Sequence, residues 1–123
     1  MRKKIIAGNW KMNIKPSETA ALVKAVAEST AQYGNVDIVC CTPAIDIPAA
    51  VEAAKGTQVE VGGENCHWKQ SGAYTGEIST EMLLDAGAKS CFTKHFYIKI
   101  RSFGNTLSFQ EFPLSFEITN LFI

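Results

Sequence analysis

The stretch KIIAGNWKMN, residues 4–13, joins a short apolar strand to a polar turn near the start of the chain. The turn carries neither the GxGxxG that opens a dinucleotide-binding fold nor the GxxxxGK[ST] that cradles nucleotide phosphates. From this strand to residue 90, strand-like and helix-like segments alternate. The alternation predicts right-handed βαβ units and a parallel sheet, either a doubly wound open sheet or part of an eight-stranded barrel.

Apolar periodicity and capping residues predict six elements before residue 90. The three strands are KIIAG, VDIVCC from Val36 and QVEVGG from Gln58. The first helix runs from its cap Ser17 to Tyr33, with Gly34 after it. A short second helix has Pro48 in its first turn and Gly56 after it, and the third helix is capped by Ser79 and closed by Gly87.

The composition is that of an ordinary globular chain. Its 123 residues suit one domain, 46% of them are hydrophobic, and 12 basic residues balance 12 acidic ones. No basic stripe points to a nucleic-acid partner, and no apolar run reaches the roughly 18 residues of a membrane span. The apolar part of MRKKIIAG is too short for a signal peptide. We therefore expect a cytoplasmic protein without a nucleic-acid or membrane partner.

The four cysteines, Cys40, Cys41, Cys66 and Cys91, show no CxxC spacing. Cys40 and Cys41 are adjacent in a predicted strand, so their side chains should point to opposite faces of the sheet. Such a pair makes a poor metal site or disulfide. We expect reduced, structural thiols and no bound metal.

Asn9 and Lys11 lie two residues apart where the first strand ends. In an extended segment they would share one face while Trp10 takes the other. The carboxyl ends of strands are where α/β folds bind ligands, and an amide beside an ammonium could hold an anionic substrate. Spacing alone favours the simpler interpretation, a solvated lysine just past a strand.

A long loop, residues 62–79, reads GGENCHWKQSGAYTGEIS between a predicted strand and a helix. Loops of this length inside compact domains are usually functional. Gly72 and Gly76 allow tight turns that would present an exposed docking surface, although a loop packing on its own barrel fits the same spacing. His67 beside Trp68 is interpreted as a loop histidine rather than a catalyst.

AGNWKMN at the first strand and GAYTGEIS before the third helix, in this order, resemble the corresponding motifs of triosephosphate isomerase. The resemblance runs from about residue 2 to residue 90, roughly the first third of a (β/α)8 barrel of about 250 residues. It implies an α/β fold, an incomplete TIM barrel of about three βα units with a possible fourth strand. It also implies interconversion of dihydroxyacetone phosphate and glyceraldehyde 3-phosphate in glycolysis and gluconeogenesis, without a cofactor, by a cytoplasmic homodimer.

By the same resemblance, Asn9 and Lys11 match substrate contacts at the first strand. Lys11 would be the catalytic cation that faces the substrate phosphate and the enediolate oxygen that develops during the reaction. Thr75 would lie at the tip of the loop that enters the partner subunit's pocket, and Glu77 in the same dimer interface. His95 falls at the family spacing of the electrophilic histidine.

After the third helix the resemblance stops. The family reads approximately GAxxVIxGHSERR where this chain reads GAKSCFTKHFYIKI, so the surroundings of His95 differ and Glu77 lacks its arginine partner. No YEPVWAIGTGK-like segment, which carries the general base and lid, and no GG-containing phosphate loop follow. All seven phenylalanines lie at or after Phe92, and no alanine or valine follows residue 91.

We therefore divide the chain into a barrel part, residues 1–90, and a non-matching tail, residues 91–123. We interpret the tail as translation of a shifted frame or of intervening sequence, with a real, unrelated extension as the alternative. Because no eighth strand pairs with the first and the tail shows no strand or helix period, we expect open sheet edges and self-association or aggregation.

Three functions stay open for the chain. The first is a truncated, inactive fragment of an isomerase. The second is a non-catalytic barrel fragment that interacts with other chains. The third is a small α/β module that binds a phosphorylated ligand through Asn9 and Lys11.

Overall fold

The computed structural model describes residues 3–92, 96–103 and 106–113, in which strands and helices alternate before a two-stranded extension. Among these residues, no helix is long and apolar enough to cross a lipid bilayer. The elements are β1 (Lys4–Asn9), α1 (Pro16–Thr30), β2 (Val36–Thr42), a 3₁₀ turn (Ala44–Asp46), α2 (Ile47–Ala54), β3 (Val59–Gly63), α3 (Thr80–Asp85), β4 (Ser90–Phe92), β5 (Phe96–Phe103) and β6 (Thr106–Pro113).

The six strands form one sheet whose order follows the chain, from β1 to β6. Strands β1 to β4 are parallel, and the β3–β4 register pairs Gly62 with Ser90 and Gly63 with Cys91. Strand β5 runs antiparallel to β4, and β6 runs antiparallel to β5. Four consecutive parallel strands with helices between them confirm the expected incomplete (β/α)8 barrel.

Apolar clusters cover both faces of the parallel strands, as is usual for parallel sheets. The helix-side cluster packs strand residues such as Ile38 against Val23 of α1 and Leu83 of α3. The inner-face cluster is smaller and lies on the other side of the sheet; its buried members are Ala7, Val39, Cys41 and Phe92. Cys40 belongs to the helix-side cluster, so Cys40 and Cys41 point to opposite faces as predicted.

The first helix differs from its prediction at both ends. Helix α1 begins at Pro16 instead of being capped by Ser17, because a proline at the first helical position needs no N–H partner and has a helical φ. It ends at Thr30, before the predicted Tyr33, because the Tyr33 N–H donates to the Thr30 carbonyl at 3.0 Å in a separate turn.

The shorter helices confirm their predicted ends. Pro48 lies in the first turn of α2. The Ser79 hydroxyl accepts a hydrogen bond from the Met82 N–H at 3.1 Å and so caps α3. Gly87 follows α3 with a φ of 96°, and a Cβ at this position would lie 2.6 Å from Val51. Both the backbone angle and the packing therefore favour glycine.

The extension after β4 contradicts one sequence prediction. We expected no strand in this part of the chain and a free edge on the last barrel-like strand, but β5 pairs with β4 and β6 pairs with β5. Without β5, the three-residue β4 would leave backbone N–H and C=O groups unpaired, which is costly in a sheet buried on both faces. Strand β1 lies at the other end of the strand order, where the expected edge is present in the described part of the chain.

Lys99 of β5 joins the extension to β2 and β3. Its ammonium lies 3.2 Å from Asp37 Oδ2 and 3.6 Å from Glu60 Oε2, and Lys3 forms another ion pair with Asp37 at 2.7 Å. Burial alone would raise the pKa of Asp37, but the two lysines outweigh it and hold that pKa below its ordinary value. The next residue, Ile100, is buried in the helix-side cluster, so β5 contributes an ion pair and apolar packing.

Replacing Lys99 with methionine should lower the free energy of unfolding by about 1–3 kcal/mol, because the change removes a cation from two mostly buried carboxylates. Urea unfolding at neutral pH measures the difference. The matched control is Lys55→Met, which breaks an exposed ion pair with Glu52 and should change the free energy by less than about 0.5 kcal/mol. Equal effects in the two variants would contradict an anchoring role for Lys99.

Candidate functional site

The carboxyl ends of the four parallel strands lie along one edge of the sheet, which we call the rim. The rim carries Asn9 and Lys11 at the end of β1, Asp46 after β2 and Glu64 after β3. Ligands of parallel α/β folds bind at this edge, because strands hold the bases of variable loops in fixed positions. The rim is therefore the candidate functional site.

Lys11 has a left-handed backbone conformation with a φ of 55°, and no other non-glycine residue of the described chain has a positive φ. The Asn9 side-chain oxygen accepts a hydrogen bond from the Lys11 N–H at 2.9 Å. The prediction that both residues share a face of an extended strand is wrong, because β1 ends at Asn9 and Lys11 lies in the following turn. Such a conformation costs about 1–3 kcal/mol and persists only where its surroundings fix it.

Trp10 anchors this turn in the core. Its side chain is fully buried in the helix-side cluster, and its backbone N–H donates to the Cys41 carbonyl at 3.0 Å. Within the described residues, the buried indole Nε1 has no hydrogen-bond partner. A buried anchor between Asn9 and the exposed Lys11 keeps both residues at the rim.

Glu64 lies next to the Lys11 backbone, and sequence reasoning missed it. Burial raises the pKa of Glu64 from its ordinary 4.5 to about 7, a hydrogen bond from the Lys11 backbone opposes the rise, and the nearby Asp46 carboxylate adds to it. Asp46 is itself fully buried, which raises its own pKa. A carboxyl group that titrates near neutral pH beside a lysine is typical of functional sites. The signal available in the sequence was an acid placed directly after a strand buried on both faces.

The long loop closes on itself at His67. The His67 N–H donates to the Ile78 carbonyl at 2.7 Å, and His67 forms an isolated parallel bridge with Ser79. The residues between these two points form an excursion from the sheet that carries Thr75 and Glu77, both of them exposed. The structure therefore brings these two predicted interface residues together, away from the buried core.

Glu77 has a partner that the sequence analysis did not foresee. Its carboxylate accepts a hydrogen bond from the Asn65 amide at 3.2 Å, while its backbone N–H donates to the Tyr74 carbonyl at 3.0 Å. We expected Glu77 to lack the arginine partner of the family. The Asn65 amide at the start of the same loop contacts its carboxylate.

Aromatic side chains organise the outer surface of the loop. The His67 ring centroid lies 5.8 Å from that of Trp68 and 4.3 Å from that of Tyr74, and its Nδ1 accepts the Lys69 N–H at 3.1 Å. The Lys69 ammonium lies 4.4 Å from the Trp68 ring centroid. These contacts agree with a structural role for His67. Trp68 is 80% exposed, so the loop presents an aromatic surface to its surroundings.

His95, the remaining predicted site residue, lies outside the described residues. Across residues 3–92, 96–103 and 106–113, no group of three or more His, Cys, Asp or Glu side chains is arranged to hold a metal ion. The rim thus brings together an amide, an ammonium and a titratable carboxyl group.

Replacing Glu64 with glutamine should remove a pH dependence of stability. The folded chain holds a proton that the unfolded chain releases between pH 4.5 and about 7, so wild-type stability should fall across this interval and stay low above it. The neutral glutamine carries no such penalty, and the variant should be the more stable protein at pH 8. Urea unfolding at pH 4.5 and pH 8 measures both effects.

Glu28→Gln, on the exposed side of α1, is the matched control and should keep the wild-type pH dependence. If the stability of the Glu64 variant depends on pH as that of the wild type does, burial does not raise the pKa of this carboxyl group.

Sequence comparison places these features in a known family. The family model for triosephosphate isomerase matches residues 4–97. The triosephosphate isomerase of Latilactobacillus sakei subsp. sakei (strain 23K) is 43% identical over 95 residues, which cover 77% of this chain and 38% of that protein. That of Ligilactobacillus salivarius (strain UCC118) is 47% identical over 87 residues, which cover 71% of this chain and 35% of that protein.

Structure comparison agrees. The crystal structure of triosephosphate isomerase from Bartonella henselae matches with a TM-score of 0.67 and 36% sequence identity, and the match covers 73% of this chain and 37% of that one. The chain therefore spans little more than a third of the length of these relatives. The family model includes β1 to β4 and the whole rim and matches well over half of the chain, so the chain belongs to the triosephosphate isomerase family.

Proposed function

We propose that the rim is the amino-terminal part of a site that interconverts dihydroxyacetone phosphate and glyceraldehyde 3-phosphate, in cytoplasmic glycolysis and gluconeogenesis. In this proposal the 123-residue chain alone binds such an anion weakly and does not turn it over. The observation that carries the proposal is the position of Lys11, which a buried tryptophan and the Asn9 side chain hold at the carboxyl end of β1.

A lysine whose backbone is held in this way at the rim suits a reaction that develops negative charge. Both triose phosphates carry a phosphate dianion, and removal of a proton next to their carbonyl group creates an enediolate oxygen. A cation already oriented toward these charges lowers the barrier without moving during the reaction. The left-handed conformation of Lys11 is the type of local strain that concentrates at functional sites.

Two features support a lack of turnover by this chain alone. Strand β5 is antiparallel to β4, so its carboxyl end does not extend the row formed by β1 to β4. The sequence also holds no segment that resembles the family's base-and-lid motif or its phosphate loop. Loss of a general base alone typically reduces the rate by about 10²–10⁴-fold.

A coupled isomerase assay on the purified chain, expressed in a host that lacks its own isomerase, should detect no rate above the uncatalysed reaction. A turnover number within a thousandfold of ordinary enzymes, about 1–10³ s⁻¹, would overturn the proposal of inactivity.

Calorimetric titration of the same preparation with inorganic phosphate tests whether the chain is a binding module. A saturating signal that Lys11→Met removes would favour anion binding without catalysis.

The role of Lys11 is tested in a complete barrel. A chimera that joins residues 1–92 to the remaining sequence of the Latilactobacillus sakei relative should be active, and Lys11→Met in it should reduce kcat by about 10²–10³-fold with an unchanged circular dichroism spectrum. The matched control is Lys24→Met, an exposed lysine of α1. Near-full turnover by the Lys11 variant would reject the assignment.

We further propose that the loop bearing Thr75 and Glu77 docks on a second copy of the chain, as expected of a homodimer. Its exposed Trp68 and Tyr74 supply apolar contact area.

The β1 edge adds a second route to self-association, because an apolar cavity of about 560 Å³ lies beside it between α1 and the sheet. The cavity is lined mainly by apolar residues, among them Ile6, Leu22, Val26 and Ile38.

Size-exclusion chromatography with light scattering should therefore show species larger than the monomer at micromolar concentration. Trp68→Ser should shift the distribution toward smaller species, because it removes the largest exposed apolar side chain of the loop. Lys24→Met serves again as the surface control and should leave the distribution unchanged. A single sharp species of monomer mass, with a cooperative thermal transition, would contradict self-association.

A further inference from the structure

Two cysteines from distant parts of the chain meet on the helix side of the sheet. Cys91 lies in β4 and is fully buried. The β3–β4 register pairs it with Gly63, and Cys66 follows Gly63 at the start of the long loop. Both cysteines belong to the helix-side cluster, Cys91 as a buried member and Cys66 as a half-buried residue packed against it. The two thiols are close enough to shift each other's pKa.

The two thiols have unequal chemistry. The interaction with Cys91 lowers the pKa of Cys66, while the same interaction together with burial raises the pKa of Cys91. The direction agrees with exposure, because the half-buried sulfur can be solvated as a thiolate and the fully buried one cannot. Cys66 is therefore the nucleophile of the pair, and Cys91 is the thiol that remains protonated beside it.

The other two cysteines do not offer this combination. Cys40 and Cys41 are both buried in β2, and burial raises the pKa of Cys40 to about 12. Cys41 also lies on the opposite, inner face of the sheet. Of the four cysteines in the sequence, all within the described residues, Cys66 alone combines partial exposure with a neighbouring thiol.

We propose that Cys66 and Cys91 form a reversible redox site that low-molecular-weight disulfides oxidise to an internal disulfide. The Cys66 thiolate attacks one sulfur of the small disulfide and displaces a small thiolate, which leaves a mixed disulfide on Cys66. The buried Cys91 thiol then attacks the Cys66 sulfur and passes its proton to the second small thiolate as that thiolate leaves. In total, two protein thiols are oxidised, one small disulfide is reduced to two small thiols, and the two protons end on those thiols.

The internal disulfide would join the base of the long loop to β4. It would hold the segment that carries the aromatic surface and Thr75 against the sheet. Because the link closes a loop of the unfolded chain, it should also stabilise the folded form.

The test incubates the native, purified chain with glutathione disulfide, blocks the remaining thiols with excess N-ethylmaleimide at mildly acidic pH, and maps peptides without reduction. We expect a Cys66–Cys91 cross-linked peptide that dithiothreitol removes, and a thermal midpoint raised by about 10 °C. Cys91→Ser should stop at a glutathione adduct on Cys66. Cys66→Ser should leave Cys91 unmodified, and the control Cys40→Ser should form the cross-link as wild type does.

Cys91→Val is a second variant without the Cys91 thiol, and it keeps an apolar group in the core. Circular dichroism verifies the fold of every variant. An oxidised wild-type chain without the Cys66–Cys91 peptide would overturn the proposal. A cross-link that involves Cys40 or Cys41 instead, or a Cys66 that remains fully reduced in the folded Cys91 variants, would overturn it as well.

Discussion

The pairing of β4 with β5 is the interaction on which the rest of this structure depends. Strand β4 has three residues, and its pairing with β3 involves two positions. Alone it would be a poor boundary for a sheet that is apolar on both faces. Strand β5 completes its backbone hydrogen bonds, places Lys99 beside Asp37 and Glu60, and adds Ile100 to the helix-side cluster. The antiparallel direction also ends the parallel series, so the same contact that stabilises β4 interrupts the barrel.

The rim shows how a stable scaffold carries unfavourable local features. Lys11 has a strained φ, Trp10 buries an indole N–H without a partner in the described part, and Glu64 is a carboxyl group whose charged form is disfavoured. Each feature is costly when considered alone. They lie together at the carboxyl ends of β1 and β3, where strands fix their positions. Such a concentration of locally unfavourable features is typical of functional sites.

The sequence predicted the parallel βα series because the relevant signals are local. Proline at the start of α2, serine at the cap of α3 and apolar runs in the strands act over a few residues, and the structure contains each of them. The position of Asn9 and Lys11 after a strand is visible in the sequence, but their expected roles come from the family resemblance. Glu64 was missed because its raised pKa arises from burial and from Asp46, which is distant in sequence. The contact between Cys66 and Cys91 was missed for the same reason, since strand register, not spacing, brings them together.

The error about the extension has a different physical origin. We judged the tail by its own hydrophobic period, and that period is weak. Strand formation there depends less on the period than on the unpaired edge that β4 presents, because a backbone edge accepts any segment that can extend beside it. The ion pairs of Lys99 with Asp37 and Glu60 favour the register in which this lysine faces both carboxylates. Composition and hydrophobic period are therefore poor guides to the conformation of a segment that lies beside an unpaired strand edge.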